Sequence, residues 1–143
     1  MAITLYDYTP APSPRRARIL LAEKGLVANW NAKIEFEGLM AAAEALRNSS
    51  PGMVDRATTG PVNYAQIPEL AARGKERLGH FMDMLNERLE GRSYIATDQF
   101  TVADITALVV VDFAKWVKVV PGDEHANLKR WHAEVSARPS AKA

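Results

Sequence analysis

The stretch that decides the fold is FTVADITALVVVDFAKWVKVV, residues 100–120. Thr101 precedes an apolar run and Asp104 follows three positions later, which is the spacing of a capping box at the start of an α-helix. Phe100 and Ile105 flank this pair as a predicted hydrophobic staple. We interpret the motif as a structural device rather than a catalytic one. Because the run is apolar on nearly every face, the sequence predicts a helix buried centrally among others.

Working outward, the sequence predicts helices on both sides of this one. Apolar residues recur at helical spacing over residues 27–47 and 67–90, which favours two long amphipathic helices. A last helix is predicted over about residues 123–137, after the Pro-Gly break at 121–122. The turn-rich segment 48–64 is too long for a simple connection, and loops of this length are often functional. This part of the chain is therefore predicted to be a helical bundle.

Composition excludes several classes of function. The 143 residues include 18 basic and 17 acidic side chains, a net charge of +1 without a Lys/Arg block, so no nucleic-acid partner is expected. The chain has no cysteine, which excludes disulfides, a thiolate nucleophile and cysteine-based metal sites. His80, His125 and His132 lack the spacing of metal ligands, so no metal is expected. The start lacks the layout of a signal peptide and no apolar run has transmembrane length, which predicts a cytoplasmic protein that does not associate with membranes.

The first 26 residues predict a strand, a proline-rich turn and a helix. Residues 2–8, AITLYDY, alternate apolar and polar side chains, as strands do. Ser13 before Pro14 is a predicted helix N-cap with proline at the first helical position, and Gly25 ends that helix. A lone strand cannot satisfy its own backbone groups. We therefore expect it to pair with a second copy of itself or with a strand missing from this sequence, or else to be poorly ordered.

Several of these segments resemble the bacterial cytosolic glutathione transferase family. The capping box, preceded by SYIATDQF (93–100), resembles the start of the central helix in that family's C-terminal domain. LKRWHAEVSARPSAKA (128–143) resembles the domain's last helix and Arg-Pro tail, and LYDYTPAPSPRRARILLAEKGL (5–26) is similar to the family's first strand, active-site turn and first helix. The resemblance implies a mainly α fold, in which a truncated thioredoxin-like unit (1–26) precedes a helical C-terminal domain (27–143).

The departure from the family pattern lies just after Gly25. In the family, further strands and helices follow the first helix and carry a cis-proline and an acidic-Ser pair that hold glutathione. Here the chain runs directly into the helix around Trp30, without a counterpart of those elements. The chain is therefore either a deletion product, natural or made, or one whose numbering closes over a missing segment.

The resemblance also implies a function and a set of site residues. Glutathione would be the co-substrate, a hydrophobic electrophile the second substrate, and the protein a homodimer. Ser13 is the predicted catalytic donor to the thiolate, or else it caps its own helix and does no more. Tyr8 matches the tyrosine-using branches of the family; the alternative is that it and the nearby Tyr6 only pack, as strand residues do. Trp30 and Phe36 either line the electrophile pocket or belong to the core. The rival interpretation is a non-catalytic helical interaction module derived from the same domain.

Overall fold

The computed structural model describes residues 30–142. Nearly every element in this range is a helix, as the spacing of its apolar residues predicts. Three segments follow one another without a break and form one rod: α1 (Trp30–Ile34), a π-helical turn (Glu35–Leu39) and α2 (Met40–Arg47). After them come α3 (Pro68–Arg88), α4 (Val102–Ala114) and α5 (Ala126–Ser136). Short 3-10 turns cover Pro51–Met53, Lys115–Val117 and Pro139–Lys142.

The predicted helical bundle is confirmed in this part of the chain. The described residues contain one isolated β-bridge, between Arg56 and Tyr64, and no strand. The strand predicted over 2–8 and the helix that follows it lie outside the described residues. None of the helices within 30–142 is long and apolar enough to cross a membrane.

The hydrophobic core lies where the rod, α3, α4 and α5 meet. Burying each large apolar side chain contributes roughly 1.5–3 kcal/mol, so this cluster supplies most of the favourable free energy of folding. Its largest fully buried members include Trp131, Phe81, Ile34, Leu78, Leu85, Leu128 and Val110.

Two glycines allow helices to approach each other closely. A Cβ added at Gly74 in α3 would lie 2.7 Å from both the Ala41 carbonyl oxygen and the Ala45 backbone nitrogen of α2. At Gly38, in the π-helical turn, an added Cβ would lie 2.7 Å from the Phe81 ring. The rod and α3 therefore pack with their backbones almost in contact, which larger residues at these positions would prevent.

Helix α4 ends earlier than predicted. Helical structure was expected to continue to residue 120, but it tightens into a 3-10 turn after Ala114 and stops at Lys118. Lys118 adopts a left-handed conformation with φ of 63°, and the Val119 N–H then donates to the Ala114 carbonyl at 3.1 Å. A left-handed residue of this kind ends helices because it turns the chain back on the last carbonyls.

Candidate functional site

Asp104 is the centre of the most connected polar group in the described residues. It lies in the first turn of α4 and is fully buried. Its Oδ2 accepts hydrogen bonds from the Thr101 N–H at 2.9 Å and the Thr101 hydroxyl at 3.2 Å. Its Oδ1 accepts from the Ile95 N–H and from the Trp131 indole N–H, both at 3.0 Å. One carboxylate thus joins α4, the loop before it and α5.

The chemistry of this group is structural. Thr101 and Asp104 form the capping box at the start of α4, and the four donors occupy the acceptor sites of the carboxylate. A buried carboxylate is stabilised by such donors and by the positive end of the helix dipole. Phe100 and Ile105, the predicted hydrophobic staple, differ from a simple staple. Ile105 is 50% exposed, and the Phe100 ring packs against Tyr94 and under Arg138.

Trp30 lies at the edge of this network. It packs half-buried against the core, and the Arg88 guanidinium lies 4.8 Å from its ring centroid in a cation–π contact. Arg88 also donates to the Ile95 carbonyl at 2.7 Å. Since Ile95 in turn donates to Asp104, the ring of Trp30 is held by the same set of contacts that fixes the start of α4.

Phe36 lies in a different environment, on the outside of the rod. Its side chain is 59% exposed, and the Arg77 guanidinium lies 5.7 Å from its ring. Arg77 and Arg88 are separated by eleven positions on α3, which is about 16 Å along a helix. Trp30 and Phe36 therefore contact two separate arginines and do not face each other.

A cavity of about 280 Å³ lies between the rod and α3. Its lining carries charge of both signs and a histidine, and it includes neither Trp30 nor Phe36. The residues that form it are Lys33, Glu37, Arg77, His80, Phe81 and Met84.

A row of exposed apolar side chains follows one face of α4. Val102, Ile105 and Val109 are 58%, 50% and 53% exposed, and their spacing places them on one side of the helix. The opposite side, with Ala107 and Val110, is fully buried. The predicted helix is therefore buried among the others on one side, whereas its other side is exposed within residues 30–142. The sequence signal that indicates this row is the apolar pattern on nearly every face of the helix. An apolar face without a neighbour marks a surface that another element can cover.

The histidines serve separate structural roles. His125 is buried before α5, and its Nδ1 accepts a hydrogen bond from the Gly122 N–H while its Nε2 lies 2.9 Å from the Asp83 carboxylate. His132 contacts Asp112 across α4 and α5 at 2.9 Å. Residues 30–142 contain no group of three or more His, Cys, Asp or Glu side chains placed to hold a metal ion.

Asp112 is the charged group that links α4 to α5 at the surface. Burial raises its pKa, but hydrogen bonds from Lys115 and His132 outweigh that effect and leave the pKa below its ordinary value. The group is therefore a carboxylate near neutral pH and acts as an ion-pair partner.

Two of the predicted site residues, Ser13 and Tyr8, lie outside the described residues. Their predicted roles toward glutathione remain predictions. In the described part, the candidate site consists of Trp30 and the exposed row of α4, two features that adjoin at the Asn31–Thr106 hydrogen bond between α1 and α4.

The comparisons with known proteins agree on one family. The family model for the glutathione S-transferase C-terminal domain matches residues 40–139, more than half of the chain. The chain belongs to this family. Glutathione S-transferase 2 of Saccharomyces cerevisiae is 31% identical over 121 residues, which cover 84% of this chain and 49% of the yeast protein.

Solved structures show the same fold. The crystal structure of a glutathione S-transferase domain-containing protein from Marinobacter aquaeolei VT8 matches with a TM-score of 0.67 and 32% identity, covering 95% of this chain and 62% of that one. Gtt2 from Saccharomyces cerevisiae matches with a TM-score of 0.69 at 24% identity, over 97% of this chain and 59% of that one, which supports the fold alone. The chain thus spans about half the length of the curated yeast relative.

Proposed function

We propose that this chain derives from a glutathione transferase that, in its complete form, conjugates glutathione to hydrophobic electrophiles. Family membership supports the reaction class. The single observation that carries the proposal is the exposed apolar row of Val102, Ile105 and Val109 on α4. Such a face on a domain of this family is the surface that a glutathione-binding domain would cover.

We also propose a division of the chain, which rests on the resemblance of residues 5–26 to the family's first strand, active-site turn and first helix. We assign residues 1–26 to a truncated thioredoxin-like unit and 27–143 to the helical domain. In the complete protein, the thioredoxin-like domain would pack on the row of α4, and the electrophile would lie beside this contact. Trp30, at the adjoining end of the rod, is the aromatic residue best placed to line that space, whereas Phe36 lies on the outer side next to Arg77.

The chemical requirement is a thiolate near neutral pH. A free thiol has a pKa near 8.5, and a hydroxyl donor at a helix N-terminus lowers it because both the hydrogen bond and the dipole favour the anion. Ser13 is the proposed donor, and Tyr8 a proposed contact of the bound glutathione. A hydrogen bond to a charged group contributes about 1.5–3 kcal/mol, which corresponds to roughly one to two pKa units.

We further propose that the complete protein is a cytoplasmic homodimer that requires no metal. Exposed apolar side chains on the rod support a partner surface: Phe36 and Met40 are 59% and 56% exposed, and Arg77, which lies over the Phe36 ring, also contacts Glu44. Glu44 pairs with Arg73 and Arg77 of α3. An apolar centre with a charged rim is typical of protein interfaces.

The test compares two chains in one assay, conjugation of glutathione to a chromogenic electrophile followed against pH. A chain with a complete thioredoxin-like domain restored after Gly25 should turn over, and Ser13→Ala should shift its acid limb to higher pH by about one to two units. The 143-residue chain of verified mass should be poorly retained on immobilised glutathione, because most polar contacts to the ligand would be absent.

Each outcome has a definite consequence. Far-UV circular dichroism establishes first that both chains are folded. Robust turnover by the 143-residue chain would overturn the assignment of the residues that the glutathione site needs. A folded, restored chain that neither binds glutathione nor turns over would overturn the proposed function and favour the non-catalytic helical module.

A further inference from the structure

The loop between α2 and α3 forms a second cavity, far in sequence from the row of α4. It measures about 290 Å³, and its walls come from the end of α2, the 3-10 turn after it and the segment that follows. Its lining contains two arginines, two threonines and an asparagine, and no acidic residue. The full set is Arg47, Gly52, Met53, Arg56, Thr58, Thr59, Gly60 and Asn63.

The end of α2 does not use the Arg47 guanidinium for capping. The last four carbonyls of this helix all accept hydrogen bonds from neutral donors. They are Glu44 from the Asn48 amide, Ala45 from the Ser49 hydroxyl, Leu46 from the Ser50 N–H, and Arg47 from the Gln66 amide, at 2.9, 2.7, 2.8 and 2.8 Å respectively. The negative end of the helix is therefore already satisfied.

Hydrogen bonds close the loop that carries the other lining residues. Gln66 donates to the Ser50 carbonyl at 2.7 Å, and the Ile67 N–H donates to the Asn48 side chain at 3.0 Å. The Ala57 N–H donates to the Tyr64 carbonyl at 3.1 Å, which closes the segment that carries Thr58, Thr59 and Asn63. These contacts anchor the loop at both ends, which brings its polar residues to the same cavity.

The two arginines of the cavity carry charge that no carboxylate within residues 30–142 pairs with. Within residues 30–142, neither Arg47 nor Arg56 forms an ion pair. Asp55 adjoins Arg56 in sequence but does not line the cavity, and its left-handed backbone, with φ of 58°, turns the chain at that point. Two like charges on one cavity repel each other, and a bound anion would relieve that repulsion.

We propose that this cavity binds a tetrahedral oxyanion, as a phosphate or a phosphate monoester. Each guanidinium offers five N–H donors, each threonine one hydroxyl and the asparagine two N–H groups. These donors outnumber the hydrogen bonds that the two oxygens of a carboxylate can accept. Guanidinium groups also match phosphate geometry through paired hydrogen bonds. The cavity of about 290 Å³ has room for several water molecules at about 30 Å³ each, so the organic group of a monoester also fits beside the phosphate.

The experiment is isothermal titration calorimetry of the 143-residue chain with inorganic phosphate and with phenyl phosphate, at an ionic strength held constant with sodium chloride. We expect saturable binding of both, tighter for phenyl phosphate. Arg47→Gln and Arg56→Gln should each weaken it roughly 10- to 100-fold, the effect of losing hydrogen bonds to a charged group. The matched control is Lys75→Gln, which removes one positive charge from an exposed position on α3 and should leave the affinity unchanged.

A second pair of variants keeps the test decisive if a glutamine variant fails to fold. Arg47→Lys and Arg56→Lys keep the charge and lose the paired geometry, so they should bind with intermediate affinity, and far-UV circular dichroism checks the fold of every variant. Absence of saturable binding would overturn the proposal, and so would equal weakening by Lys75→Gln or binding that survives both glutamine substitutions. Because the assay contains no glutathione, its result is independent of the proposed transferase function.

Discussion

Replacing Asp104 with alanine tests the polar network at the start of α4. The substitution removes the acceptor of two donors that belong to fully buried residues, the Ile95 N–H and the Trp131 indole N–H. A buried donor left without a partner costs about 1–3 kcal/mol, so these two together cost about 4 kcal/mol. Loss of the capping interaction with Thr101 adds about 1 kcal/mol. The sequence reveals only the capping box, which by itself predicts a loss of about 1 kcal/mol.

The total approaches the whole stability of many domains, which is about 5–15 kcal/mol. Urea unfolding followed by far-UV circular dichroism measures it directly. With a slope of about 2 kcal/mol per molar urea for a chain of this size, the midpoint should fall by about 2 M or more. Asp98→Ala is the matched control, because Asp98 is an exposed aspartate in the preceding loop and its loss should leave the midpoint nearly unchanged.

A double-mutant cycle separates the Trp131 contact from the cap. Trp131→Phe removes the indole donor and keeps most of the aromatic volume, so part of the cost of Asp104→Ala should disappear in its presence, with a coupling of roughly 1 kcal/mol or more. A loss of about 1 kcal/mol for Asp104→Ala, unaffected by Trp131→Phe, would refute the reasoning and reduce Asp104 to an ordinary helix cap.

Further substitutions test the packing of the rod and its charged face. Gly74→Ala should destabilise the fold by about 1–3 kcal/mol, because its Cβ would meet the α2 backbone at 2.7 Å. Gly79→Ala in the same helix meets nothing within 4 Å and should stabilise by up to about 1 kcal/mol through helix propensity; equal effects in thermal melts would contradict the close approach. The hydrogen bond from Arg73, with a smaller effect of Arg77, holds the pKa of Glu44 below its ordinary value. A depressed pKa stabilises the fold fully above the unfolded pKa, and this effect is lost as the pH falls through the lowered pKa of the folded state. Glu44→Gln should therefore lower stability at pH 7, and the difference from the parent protein should shrink as the pH falls below about 4.3, the ordinary pKa of a glutamate; a gap independent of pH in urea titrations would rule this out.

Local signals predicted the helices of the bundle well. The stripe of apolar residues in α3 and the Thr101–Asp104 spacing each report on contacts within a few positions of the chain, and the structure has a helix at each place. The stop at Lys118 was missed because a lysine gives no indication of a left-handed backbone, which glycine or asparagine usually occupies.

Long-range contacts could not be predicted from the sequence. Asp104 and Trp131 are 27 positions apart, and nothing in the local pattern of either residue indicates that they meet. The same holds for Gln66, whose amide reaches back 19 positions to the end of α2. The cavity between α2 and α3 depends on such contacts, so its two arginines looked like ordinary surface residues in the sequence.

The π-helical turn at Glu35–Leu39 sets the rotational phase of the rod. A π-helical turn contains one residue more than an α-helical turn, and each residue of a regular helix rotates the side chains by about 100°. Deleting one residue from this turn would therefore let the rod continue as a regular α-helix through both Trp30 and Arg47, without displacing α2 from Gly74. A one-residue deletion in this turn would therefore be tolerated far better than one within Met40–Arg47. There, every later side chain would lose its facing partner on α3. This turn is thus the place on the rod where the length of the chain can change while the packing between helices persists.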